Sequence, residues 1–137
     1  MRVATLATTI VSLGLGLCPA ATRGEAPASN IIERKPLLTA SVQGGKRVAR
    51  VEIKQIELRA HQPTSRHLHP CPVVGYIVSG DVTFQIAGQP PEHLHTGDAF
   101  YEPANTVIQR FDAGDKGATF IVNYLLGQDD AELIRML

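Results

Sequence analysis

Between residues 47 and 126 the chain is cut into short apolar runs by glycine and proline turns at about ten-residue spacing, and this rhythm limits the fold more than any other feature. Residues 73–79 (VVGYIVS) read as a buried strand, and Gly80-Asp81 as the turn that ends it. Val82, Phe84 and Ile86 alternate cleanly on the next strand. Gly88 to Pro91 and then Gly97-Asp98 are further turns, and 99–102, 106–111 and 118–126 are three more strands. Residues 47–60 alternate with a change of phase: Ala49, Val51 and Ile53 share one parity, Ile56, Leu58 and Ala60 the other. A β-bulge or a crossing between sheets around Lys54-Gln55 would produce that slip. Many short strands with turns between them mean an all-β sandwich or barrel. The segment 128–137, with acidic Asp129 and Asp130 leading Leu133, Ile134 and Leu137, reads as a short C-terminal helix.

Before this region lies a different texture. Met1-Arg2 is a minimal positive start, residues 3–17 carry no charge, and small residues with a proline follow at Cys18-Pro19-Ala20-Ala21. That is the order of a secretory signal peptide, assigned to residues 1–26, and its apolar stretch is short for a span that needs about 20 residues. Export to the periplasm or outside the cell is expected. Residues 27–45, broken by Pro36 and Gly44-Gly45, read as an irregular arm; 46–127 is the barrel domain.

The charge pattern removes whole classes of function. Thirteen basic side chains balance thirteen acidic ones, and without residues 1–26 the balance is eleven to twelve. Nucleic-acid binding is therefore not expected, and an aromatic content of 5% without tryptophan supplies no base-stacking surface. Removal of residues 1–26 also leaves Cys71 as the one cysteine, so no disulfide framework exists.

Candidate chemistry starts at His67-Leu68-His69. On a strand, residues two apart point the same way with Cα atoms roughly 6.6 Å apart, so two imidazoles can converge on one ion. Two surface histidines beside a turn are the plain alternative.

The surrounding pattern resembles the cupin superfamily, specifically its small single-domain bacterial members. Their first motif reads G-x5-H-x-H, then three or four residues, E-x6-G; the second reads G-x5-P-x-G-x2-H-x3-N. Here His61 stands at the first glycine, His67 and His69 at the two histidines, and Gly80 closes the motif. Gly97 and Pro103 open the second motif within GDAFYEPANTVI. The resemblance covers roughly 47–127 and implies a small jelly-roll β-barrel with a divalent transition metal (Zn, Fe, Mn or Cu) inside.

Two departures qualify that implication. The position of the family glutamate is Val73, and that of the second-motif histidine is Ile108. Neither aliphatic can coordinate, so two of four ligands are replaced and any ion is expected to be weakly held or absent. Asn105 stands for the second-motif glycine, a milder change because asparagine tolerates the left-handed conformation. Three residues are candidate substitute ligands. Cys71 continues the parity of His67 and His69, but Pro70 and Pro72 flank it. Gln109 would serve if its strand turned that face inward. Glu102 could reach the barrel mouth, where a hydrogen-bonding or solvated rim role is the plainer reading. His61 leads into the same segment; His93 and His95 read as surface residues of the hairpin between the motifs.

Three functions follow. The leading one is an exported barrel with a partly degenerate metal site that binds a small molecule, with Val73, Tyr76, Phe84, Phe100 and Ile108 as the pocket. The second is a metal enzyme, a dioxygenase or isomerase for example, using His67 and His69 with a substitute ligand. The third is a dimerising scaffold, with Cys71 available for an intermolecular disulfide; a homodimer is expected in any case.

Overall fold

The structure is a computed structural model and describes residues 32–137, with Arg34–Leu137 forming one compact unit. The segment expected to be a signal peptide and the first part of the expected arm lie outside the described residues. Residues 32–49 contain no strand, and a turn falls at Gln43-Gly44. Seven strands follow: β1 (Arg50–Leu58), β2 (His67–Leu68), β3 (Val73–Ile86), β4 (Glu92–His95), β5 (Ala99–Glu102), β6 (Ile108–Leu126) and β7 (Arg135–Met136). Every pairing is antiparallel. The described chain is all-β, a small jelly-roll barrel.

Two long strands organise the barrel. β3 and β6 pair from Val73↔Tyr124 to Ile86↔Ile108. β6 also pairs with β1, while β5 lies against the start of β3 and β4 against its end. The turn expected at Gly80-Asp81 is a bend within one continuous strand instead, with register shifts between Ile77/Ser79 and Gly80/Val82. Gly80 has φ 81°, and a Cβ there would collide with the Gly117 backbone on β6. Glycine at that close approach lets the ladder bend without breaking. For the same reason 106–111 and 118–126, expected as separate strands, join in β6.

The change of phase in β1 has a different cause from the one expected. The β1–β6 register runs unbroken from Arg50↔Leu126 to Leu58↔Ala118, so no bulge occurs at Lys54-Gln55. Val51 and Ile53 are apolar residues on the outer face, 50% and 67% exposed. Ile56 and Leu58 pack against the core. Strand alternation alone accounts for both parities.

The core is aromatic at its centre. All four phenylalanines, Phe84, Phe100, Phe111 and Phe120, meet with ring centroids 4.8–6.1 Å apart in tilted and edge-to-face contacts. Such offsets suit the ring quadrupole better than face-to-face stacking. Phe100 crosses to its partner Gly75 on β3, where a Cβ would fall inside the ring.

The C-terminal helix expected over 128–137 does not form. Arg135–Met136 runs as β7 beside His67–Leu68, and the Leu137 N–H donates to the Arg66 carbonyl at 3.0 Å. A helix that short is marginal in water, whereas an extended tail satisfies the open edge of β2 and packs Leu133 on the core. Asp130 anchors the approach to this tail. Its carboxylate accepts from Lys46 Nζ at 2.5 Å and from the Gly127 N–H at 2.7 Å.

Candidate metal centre

β2 is two residues long, and both its neighbours act on the histidines. His67 pairs with Ile108 on one side and Met136 on the other, which turns its ring into the barrel. The chain then bends at Pro70 and Cys71 before β3. His69 sits between the strand and the bend, its carbonyl accepting the Asn105 N–H at 2.7 Å. Asn105 has φ 55°, the left-handed conformation its place in the motif asks for.

Both imidazoles are buried, at 4% exposure, and both are oriented by backbone carbonyls. His67 Nδ1 lies 2.9 Å from the Ser65 carbonyl and His69 Nδ1 2.6 Å from the Leu133 carbonyl. A carbonyl can only accept, so each Nδ1 carries a hydrogen and each Nε2 is the free ligating atom. This is how metal-binding histidines are usually held. The rings stand 5.1 Å apart at 78°.

Glu102 completes the group. It ends β5, is 3% exposed, and places Oε2 2.9 Å from His69 Nε2. One ligand atom from each of His67, His69 and Glu102 falls within 4.8 Å of the other two. Burial pulls the His69 pKa down, but the hydrogen bond to Glu102, its charge and the Leu133 carbonyl together outweigh that, and the net direction is upward. Both ring nitrogens of His69 thus face acceptors, the Leu133 carbonyl at Nδ1 and the Glu102 carboxylate at Nε2. Tyr124 stands 5.6 Å from His69, and burial, with the nearby Glu102 charge, pushes its phenol up to about 12. It stays a neutral phenol.

The sequence readings separate here. His67, His69 and Glu102 come together. Cys71 is fully buried in the core outside this group, since the bend between Pro70 and Pro72 breaks the parity it shared with the histidines. Burial, with Asp130 nearby, pushes its thiol pKa up. An intermolecular disulfide has no access to it. Gln109 is half-buried at a register shift, and Ile108 takes the inward position beside it. His61 is exposed near Asp115, and His93 and His95 are exposed on β4.

A cavity of about 170 Å³ adjoins the group. Val73 and Phe100 line it as expected; Phe84 and Ile108 are buried in the core behind it. Tyr76 is 38% exposed on the outer face and takes no part, because it has the wrong parity on β3. Thr64, Phe111, Phe120, Tyr124 and Ile134 line the cavity and were not singled out from the sequence. Phe111 and Phe120 carried a signal, the inward parity of their strands; Ile134 was hidden by the helical reading of the tail.

A family model described as a cupin domain matches residues 55–124. The chain belongs to the cupin family. Solved structures agree on the fold. A cupin-like protein from Thermotoga maritima superposes with a TM-score of 0.55 at 20% identity, covering 64% of each chain. The DMSP lyase DddQ of Ruegeria pomeroyi gives 0.57 at 20% identity, over 63% of this cupin and 42% of the lyase. Oxalate decarboxylase of Bacillus subtilis gives 0.57 at 18%, over 64% of this chain and 24% of that one. The cupin thus spans less than half the length of either enzyme. No curated protein matches it.

Proposed function

We propose that this cupin holds one divalent transition metal through His67 Nε2, His69 Nε2 and a Glu102 oxygen, and binds a small molecule in the adjoining cavity. The observation that carries this reading is the convergence of three buried ligand atoms within 4.8 Å, with both histidines already oriented through Nδ1. Two imidazoles and a carboxylate suit Zn, Fe, Mn or Cu. Three protein ligands leave coordination positions open, which is the arrangement of catalytic rather than structural sites. The ion would polarise an oxygen of the bound molecule there. The uncharged stretch at residues 3–17 supports export, so the barrel would work in the periplasm or outside the cell.

Elemental analysis of the purified protein tests the reading. About one equivalent of transition metal per chain is expected, lost in His67→Ala and Glu102→Gln and kept in His95→Ala. A wild-type protein that takes up no ion when dialysed against Zn, Fe(II) and Mn would refute it.

A further inference from the structure

A second pair of histidines repeats the spacing of the first on a different part of the barrel. His93 and His95 lie on β4, with Leu94 between them buried at 7% exposure. Strand alternation therefore sends both imidazoles to the outer face, where both are exposed. Residues two apart on a strand have Cα atoms roughly 6.6 Å apart, so the two rings can close on one ion from the same side. Ladder pairing to β3 fixes both backbones: His93 stands across from Thr83 and His95 from Asp81.

The surroundings favour a cation there. The Thr83 hydroxyl lies 3.4 Å from His93 Nδ1, so Nε2 of that ring is the atom left to ligate. The Asp98 carboxylate accepts the His95 N–H at 2.8 Å, and the Asp98 N–H donates to the His95 carbonyl at 2.9 Å. This exchange pins the end of β4 and puts a negative charge beside the pair. Asp81 adds a second, its carboxylate turned over Gly114 on β6. Neither Asp81 nor Asp98 is in a salt bridge among the described residues. Arg110, one strand further on, is paired with Asp112 at 2.8 Å.

The number of donors decides which metal. Among the described residues, ligating side chains converge in a group of three at His67, His69 and Glu102, so His93 and His95 form a two-donor site. Two imidazoles hold most divalent ions weakly, with water filling the rest of the shell. Cu(II) stands at the top of the first-row affinity order, and its tetragonal plane accepts two nitrogens side by side.

We propose that His93 and His95 form an exchangeable Cu(II) site on the outer face of β4, independent of the centre inside the barrel. Each imidazole gives one nitrogen, and water completes the plane. An exposed ion with two protein ligands leaves during purification, so the ion of the inner centre is counted without it.

Cu(II) titration of the full chain by equilibrium dialysis, with electron paramagnetic resonance of the loaded samples, tests the site. The readout is a difference between proteins, which frees it from the occupancy of the inner centre. Wild type is expected to take up one more Cu(II) per chain than His93→Ala or His95→Ala, with nitrogen splitting from two imidazoles. Each substitution should weaken that ion at least tenfold, and neither disturbs the core, because both side chains are exposed. His61→Ala, at another exposed histidine, should leave uptake unchanged. Equal Cu(II) uptake by wild type and the two variants, or loss of the extra ion in His61→Ala, would overturn the site. Zinc held by the pair as tightly as Cu(II) would overturn the choice of metal. If the inner centre takes no metal, wild type binds one Cu(II) and the variants none; the surface site then stands although the proposed function falls.

Discussion

Glu102 stands directly across the antiparallel ladder from Val73. Opposed residues on neighbouring strands point to the same face, with Cβ atoms about 4.5–5.5 Å apart. A carboxylate on β5 thus stands at the same level of the barrel as Val73, beside the same two histidines. Under the proposed metal site, the ligand that the family resemblance places on β3 comes from one strand sideways.

That relationship predicts a rescue. Glu102→Val should lower metal affinity by more than the roughly 10–100-fold that outer-sphere partners are worth. Adding Val73→Glu to it should restore a large part, since the carboxylate returns to the facing position at nearly unchanged core volume. Competition against a chromogenic chelator measures both.

Metal affinity should rise with pH through the His69 titration. The ion must displace the Nε2 proton that faces Glu102, so the raised pKa moves the midpoint above the ordinary histidine value. Folding of the metal-free protein should show the opposite sense. A pKa raised on folding stabilises fully below the unfolded value, and that contribution is lost as pH rises through the folded value. Chelator competition on the wild type reads the first profile, and Glu102→Gln should flatten the second, read by denaturant melts at several pH values.

Gly75→Ala should close part of the cavity. The new methyl group would occupy the space of the Phe100 ring and push it towards the site. A loss of about 1–3 kcal/mol from overpacking is expected, together with weaker binding of any ring-shaped ligand. Thermal melts and titrations on the same sample separate the two effects.

Cys71 should resist alkylation in the native protein and react on denaturation. It is fully buried, and its thiol is held in the protonated form by burial. Peptide mapping after iodoacetamide treatment reads this directly, and a reducible Cys71-linked dimer on a non-reducing gel would contradict it.

Loosening the Lys46–Asp130 pair should reach the metal without touching it. The pair lowers the Asp130 pKa and fixes the chain just before Leu133, whose carbonyl orients His69. Asp130→Asn should reduce metal affinity by up to about tenfold and speed amide exchange at Arg135–Met136. The wild-type protein should come to resemble it as pH falls through the lowered Asp130 value, because the clamp needs the charged carboxylate.

The barrel was legible because its strands carry their own alternation and turn residues. His67 and His69 were legible because their partnership is local, two positions along one chain. Glu102 was legible only as one of three candidate substitutes. What singles it out is which strands lie side by side, and no local pattern states that β5 pairs with the start of β3. The tail was misread for a related reason. DDAELIRML satisfies local helix preferences, but the open edge of β2 offers it partners that sequence spacing does not reveal.

The hydrogen bond from His69 to the Leu133 carbonyl spans 64 positions of chain. During synthesis His69 is made 64 residues before its anchor, so the oriented centre is a late product of folding. An ion held there would be chosen late, from the metals that surround the chain where folding finishes.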